Sequence, residues 1–404
     1  MRYKNNNLIV DGFRPELLAK KYSTPLYFYS LKKIKENIIN FKKNFKDINP
    51  LICFAVKANP NKILLRKIGK LGLGADVVSI GELMKALKSG IKPTKIVFSG
   101  VGKTSKEISF AIEKKILLIN AESKSEILEI EKIAKIKKRR VSIGIRLNPN
   151  TDAKTLSQIS TGKKENKFGV SEKVFLSLVN YVKRSKFLEL KCLSVHIGSQ
   201  ILNHKPYEKM LKVIKRIINK TKFNFEYIDL GGGMGVDYEK NNKKLNFKKY
   251  SSYIKSFLKD NKFKIIFEPG RTIVADSGYL ISKIIYIKKG DKRDFIIIDA
   301  AMNDLIRPAL YNAKHQIIPT KKTSVKSNKI YEFVGPICET TDKFSSLKGF
   351  QKLNEKDYVV ICDVGAYGMS LSSNYNLRPK PAELLIERSN IKIIGKRQDL
   401  KDLI

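Results

Sequence analysis

Short apolar runs alternate with segments of helical period through the first two thirds of the chain. The runs fall at 51–56, 74–78, 95–98, 116–119, 140–145, 192–196, 226–230 and 263–267. Between them, segments such as 80–88 and 105–113 place apolar residues three and four apart, the spacing of an amphipathic helix. Thr104 and Ser171 stand where helix N-caps would stand. One more helix is predicted over 31–46, where Leu31, Ile34, Ile38, Phe41 and Phe45 share a face. Eight strands with helices between them, and one helix ahead of the first, predict an α/β fold of the (β/α)8 TIM-barrel type. A doubly wound open sheet is the weaker alternative, because eight strands would make a large one.

After about residue 275 the rhythm changes. Strand-like runs return without helices at Tyr279–Ile287, Phe295–Asp299, Lys329–Val334, Tyr358–Cys362 and Ile391–Ile394. Lys289-Gly-Asp-Lys292 reads as a hairpin turn. This predicts a C-terminal antiparallel β-sandwich or β-barrel domain. The expected organisation is a barrel over 31–275 and a β domain over 276–404, with residues 1–30 contributing to the β domain through a strand at 26–29.

Composition narrows the class only slightly. A length of 404 residues suits a large barrel plus a smaller unit. No apolar run is long enough to span a membrane, and the first residues lack the apolar core of a signal peptide. Cys53, Cys192, Cys338 and Cys362 are scattered, which argues for a reducing, cytoplasmic location. The net charge of +42 could indicate a nucleic-acid partner. The lysines are spread over every predicted helix, with no basic arm, so compositional drift explains the charge better. No nucleic-acid or membrane partner is expected.

The candidate chemistry lies at the strand ends. In a parallel barrel the C-terminal strand ends carry the site. Read just past each run they give Lys57; Asp76 to Ser79; Ser99-Gly100; Asn120; Arg146; His196 to Ser199; Gly231-Gly-Gly-Met-Gly235; and Glu268-Pro269-Gly270-Arg271. A buried strand ending on Lys57 presents an amine that burial would make nucleophilic. The bland alternative is a lysine that simply reaches solvent. A glycine run lets backbone N–H groups cradle a phosphate, helped by a following helix N-terminus. Alone, such a run is more often a tight turn. Gly231–Gly235 lacks the spacing of a dinucleotide fingerprint. Ser199 could add a hydroxyl, and Arg271 a fork for phosphate or carboxylate. His196 alone is as readily a hydrogen-bonded core histidine. Glu268, ending an apolar run, needs a cationic or N–H partner. Together a lysine, a phosphate cradle and a carboxylate point to pyridoxal 5'-phosphate. His196, His204 and His315 lack metal-ligand spacing, so no metal is expected.

The motifs Phe54-Ala-Val-Lys57-Ala-Asn, Gly74-Ala-Asp76-Val-Val-Ser, His196-Ile-Gly-Ser-Gln, Gly231-Gly-Gly-Met-Gly, Glu268-Pro-Gly-Arg271, Asn303-Asp-Leu-Ile-Arg307-Pro, Gly335-Pro-Ile-Cys338-Glu339 and Gly365-Ala-Tyr367 occur in that order. In this the chain resembles the diaminopimelate decarboxylases, within the alanine-racemase-like (fold-type III) pyridoxal-phosphate enzymes that include ornithine decarboxylases. The resemblance implies a head-to-tail homodimer with its site at the subunit interface, converting meso-2,6-diaminopimelate to L-lysine and CO2, the last step of lysine biosynthesis. It implies that Lys57 carries the cofactor and that His196 stacks on its ring. Ser199, the run containing Gly232 and Gly233, and the backbone of Glu268, Pro269, Gly270 and Arg271 would hold its phosphate. Glu268 would pair with the ring nitrogen. Arg271, Arg307 and Tyr311 would bind the distal carboxylate, and Glu339 the distal amine. Cys338 would be the general acid, and Tyr367 would touch cofactor and substrate. The family's Ser-Gly/Ala-Asp after Cys-Glu is here Thr340-Thr341-Asp342. The alternative is another basic amino-acid decarboxylase of this class, acting on ornithine, lysine or carboxynorspermidine.

Overall fold

The computed structural model describes residues 1–153, 161–259 and 262–404. It comprises two compact units. One contains Ile38–Val236 and Asn242–Ile273; the other contains Met1–Asn37, Asp237–Asn241 and Val274–Ile404.

In the first unit, eight described strands close into a parallel barrel. They are β1 (Leu51–Ala55), β2 (Gly74–Val77), β3 (Ile96–Phe98), β4 (Leu118–Ala121), β5 (Val141–Arg146), β6 (Leu188–Ser194), β7 (Tyr227–Asp229) and β8 (Lys264–Phe267). Strand β8 closes on β1 through Ile266↔Leu51 and Phe267↔Ile52. Phe41, Phe45, Phe247 and Tyr250 cluster around Phe267, with ring centroids 4.7 Å apart for Phe45 and Phe267. The helices that cover the barrel begin on polar caps. Asn61, Ser79, Thr104, Ser123 and Asn246 each accept a backbone N–H of the following turn, worth about 1 kcal/mol apiece. Thr104 forms a full capping box with Glu107. Ser171 occupies its predicted N-cap position without a side-chain bond.

Strand β6 differs from its predicted run. It starts at Leu188, because Leu188, Leu190 and Cys192 alternate with Glu189 and Lys191 and so keep the period of a strand without a continuous apolar run. His196 therefore stands two residues beyond the strand end. Asp76, Asn120 and Arg146 lie inside strands rather than past them.

Among the described residues, the second unit contains a two-stranded sheet of Arg2–Lys4 and Asn7–Ile9 and is built on a nine-stranded one. Its path runs through Lys343–Leu347, Ile330–Val334, Arg293–Ile298, Gly278–Lys288, Leu26–Ser30, Ala382–Glu387 and Asn390–Gly395, with Tyr358–Ile361 and Ile317–Pro319 joined off it. The pairings are antiparallel except two: Arg293–Ile298 with Ile330–Val334, and Leu26–Ser30 with Ala382–Glu387. Strand Gly278–Lys288 changes partners at an irregularity between Ile284 and Tyr286, which lets one long strand serve two parts of the sheet. Leu26, Phe28, Ile281, Val360, Cys362, Leu384 and Ile386 form its core.

Candidate active site

Side-chain alternation along the barrel strands builds the site in layers. Cys53, Val97, Leu118, Cys192, Tyr227 and Ile266 form an apolar layer inside the barrel. Two residues further along the same strands come Ala55, Ser99, Asn120, Ser194, Asp229 and Glu268, on the same face because a strand repeats every two residues. A polar layer therefore sits directly on the apolar one. Asn120 donates to Asp229 Oδ2 at 2.9 Å, Ser194 donates to the same oxygen at 3.2 Å, and Ser99 donates to Glu268 Oε1 at 3.3 Å. Gly144 makes room for this layer: a Cβ there would stand 2.0 Å from Asn120 Oδ1.

One more step along β1 lies Lys57, on a single 3-10 turn at Val56–Ala58. Its Nζ is 2.5 Å from Asp76 Oδ2. The lysine side chain is 39% exposed while that of Asp76 is fully buried. The amine is thus paired with a buried acid rather than left alone at the end of an apolar strand. Arg146, closing β5, is buried and pairs with Glu122 at 2.9 Å.

His196, Ser199, the glycine run and Glu268–Arg271 converge at the same barrel mouth. The Gly232 amide donates to His196 Nδ1 at 3.1 Å, so the neutral ring carries its proton on Nε2. Burial and the nearby charges of Arg146 and Lys57 push the His196 pKa well down, which keeps the ring neutral. Arg271 donates to Ser199 Oγ at 3.2 Å. A Cβ on Gly232 would meet Glu268 O at 2.1 Å, and one on Gly233, at φ +85°, would meet Gly198 O at 2.2 Å. Only glycine lets these backbones approach so closely. No helix follows the run directly; the next begins at Phe247. The expected help from a following helix is therefore absent, and the run is shaped by the 196–199 and 268–270 segments.

Asp229 is the residue that motif reading missed. It interrupts the apolar Tyr227-Ile228-Asp229-Leu230 run, and a buried carboxylate needs partners just as Glu268 does. Burial raises its pKa, and burial followed by the charges of Asp229 and Asp76 raises that of Glu268 well above the usual range. The folded state thus holds protons that the unfolded chain releases near pH ~4. Their stabilising contribution is full below that pH and is lost as pH rises through the folded range, by up to about 1.4 kcal/mol per pH unit and proton. Without added cofactor, Asp229→Asn should lose stability less steeply than the parent chain between about pH 4 and about pH 7. Denaturant midpoints across that range check this, and parallel curves would show that Asp229 holds no proton in the folded chain that the unfolded chain releases.

The donor set fits pyridoxal phosphate. Asp76, Asp229 and Glu268 crowd one buried spot, and Asp76 Oδ1 has no hydrogen-bond partner among the described residues. Such a cluster suits a protonated ring nitrogen and an amine. The glycine cradle with Ser199 and Arg271 suits a phosphate.

The remaining candidates lie in the sheet unit. Arg307 opens the short helix Arg307–Tyr311 and is buried; Tyr311 closes it, half-buried. Cys338 and Glu339 are exposed in the turn from Gly335 to Asp342. Asp342 clamps that turn, accepting from Ile337 N at 2.8 Å and Met302 N at 2.7 Å. Glu339 accepts from the Tyr375 hydroxyl and, at 3.1 Å, from Thr341 Oγ1. Tyr367 is half-buried with φ +59°, a backbone conformation that a tyrosine rarely adopts.

Residues 31–275 match the family model for the pyridoxal binding domain of the pyridoxal-dependent decarboxylases, the class that this barrel and its mouth define. A curated diaminopimelate decarboxylase of Helicobacter pylori is 45% identical over 395 residues, covering 97% of each chain. That of Aquifex aeolicus is 40% identical over 403 residues, covering 99% of this chain and 95% of the relative. The crystal structure of the Helicobacter pylori enzyme complexed with L-lysine superposes with a TM-score of 0.91 at 44% identity, covering 96% of this chain and 98% of that one. The M. jannaschii diaminopimelate decarboxylase, also in complex with L-lysine, gives a TM-score of 0.93 at 34% identity over 100% of this chain and 96% of that one. The chain belongs to the diaminopimelate decarboxylase family.

Proposed function

We propose that this chain decarboxylates meso-2,6-diaminopimelate to L-lysine and CO2 with pyridoxal 5'-phosphate, as the last step of lysine biosynthesis. The observation that carries the reading is nearly full-length similarity to a diaminopimelate decarboxylase solved with L-lysine bound. When bound, pyridoxal phosphate supplies an electron sink for the breaking bond to the carboxylate.

The chain's own residues do the rest. Lys57 Nζ is the amine that carries the cofactor between turnovers, and Asp76 orients it. Gly232, Gly233, Ser199 and the backbone of Pro269, Gly270 and Arg271 hold the phosphate. Neutral His196 would pack on the cofactor ring without adding charge. Glu268 would hold the ring nitrogen; its raised pKa, caused by burial and by Asp229 and Asp76, suits it to share a proton there, and a cation at that point would relieve its conflict with the two acids. Arg307, Tyr311 and Arg271 bind the distal carboxylate, Glu339 binds the distal amine, and Tyr367 contacts cofactor and substrate. Cys338 delivers the proton that replaces CO2. The chain works as a cytoplasmic homodimer in which Cys338 and Glu339 serve the partner's barrel. Its four free cysteines support that location.

Purified chain supplied with pyridoxal phosphate should release lysine and CO2 from meso-diaminopimelate, with ornithine and lysine as poor competing substrates. Turnover of ornithine in preference to diaminopimelate would overturn the specificity.

A further inference from the structure

We propose that His315 is a positioning residue for substrate binding: it fixes the Arg307 guanidinium in the orientation that receives the substrate's distal carboxylate. The inference rests on the assignment of Arg307 to that carboxylate.

Both side chains are buried, each residue being 4% exposed. A guanidinium cannot shed its charge and can only donate hydrogen bonds, so in the interior its orientation is set by the acceptors around it. His315 Nε2 lies 2.8 Å from Arg307 Nη1, and His315 Nδ1 lies 2.9 Å from the Cys362 carbonyl oxygen. The carbonyl only accepts, so Nδ1 carries the proton. The guanidinium only donates, so Nε2 offers its lone pair. The two neighbours select one neutral tautomer and give each ring nitrogen a defined task.

The imidazole is itself held firmly. The Cys362 amide donates to Gln316 O at 2.9 Å, continuing the antiparallel pairing of Ile317–Pro319 with Tyr358–Ile361. Tyr238 packs on both groups. Its ring lies 4.5 Å from the guanidinium carbon and meets the His315 ring edge-on at 5.1 Å. An imidazole and an aromatic face bring no negative charge of their own, whereas a carboxylate in place of His315 would compete with the substrate. This accounts for a buried histidine that no metal pattern explains.

The test measures binding to the holoenzyme by calorimetry. Its ligands are L-lysine, which keeps the distal carboxylate, and 1,5-diaminopentane, which lacks it. His315→Ala should weaken L-lysine about tenfold, the scale of one hydrogen bond to a charged group, and raise KM for diaminopimelate similarly. It should change kcat less, and 1,5-diaminopentane affinity by less than about twofold. His315→Gln, whose Oε1 can accept from the guanidinium, should recover most of the loss. Retained cofactor absorbance reports that each variant is folded. Arg307→Met is the control, expected to weaken L-lysine selectively. If it does so while His315→Ala weakens both ligands equally or neither, the positioning role is overturned. If Arg307→Met binds L-lysine like the parent enzyme, the assignment of Arg307 fails, and the inference with it.

Discussion

Lys57→Ala abolishes turnover, by on the order of 10⁴-fold or more, as expected when one member of a group acting as a unit is removed. Borohydride, which should fix the cofactor to Lys57 in the parent chain, then fixes it to no lysine. The variant also melts lower. Asp76 is fully buried and its Oδ2 faces Lys57 Nζ at 2.5 Å, so the substitution leaves an acid beside Asp229 and Glu268 without that cation. The loss should be smaller than the roughly 3–5 kcal/mol of a fully buried pair, because Lys57 is 39% exposed and water screens it. Lys57→Arg separates the two effects: it keeps a cation near Asp76 and recovers stability, but not turnover. Initial rates of lysine release, mass spectrometry after borohydride treatment and thermal melts provide the three readouts. Turnover within tenfold of the parent chain, or cofactor fixed to another lysine, would remove Lys57 from its role.

Cys338→Ala lowers kcat by about 10²–10⁴-fold, the usual contribution of a positioned general acid. Cofactor affinity should hardly change, because the proposed phosphate cradle is built from barrel residues and Cys338 belongs to the turn clamped by Asp342. Mixing the inactive Lys57→Ala and Cys338→Ala chains should restore part of the turnover, since one of the two sites in a mixed dimer then has both groups. Failure to complement, with dimers shown by sedimentation, would place Lys57 and Cys338 of one site on the same chain. Normal turnover by Cys338→Ala alone would exclude the thiol as the acid.

The barrel was largely legible because its strands are local signals. Each is a short apolar run, and helices such as Ile80–Lys88 and Ser105–Glu113 announce themselves by period and cap. Strand β6 was misplaced where Glu189 and Lys191 broke the run but not the alternation. The strand Ala382–Glu387 was missed altogether. Ala-Glu-Leu-Leu-Ile-Glu is composed mainly of good helix formers, yet it lies buried in the sheet, parallel to Leu26–Ser30. That pairing joins residues from opposite ends of the chain, and tertiary contact there outweighs local propensity. Asp229 was passed over because it lies inside a strand-like run rather than at its end.

What the sequence alone determined is the order of the strands and the identity of the polar residues near their C-terminal ends. Both follow from the two-residue period of a strand and from chain order. Only the tertiary structure decided which of those residues meet. Closure of β8 on β1 brings the Lys57 segment against the 268–271 segment, with the Ala55 amide donating to Pro269 O at 3.1 Å. Barrel closure also gathers Asp76, Asp229 and Glu268 into one acid cluster, and it pairs Lys57 with Asp76. In the sheet unit, His315 meets Arg307 because the Ile317–Pro319 strand pairs with Tyr358–Ile361. Such contacts depend on which distant segments pack together, and packing of that range leaves no periodic signature in a single chain.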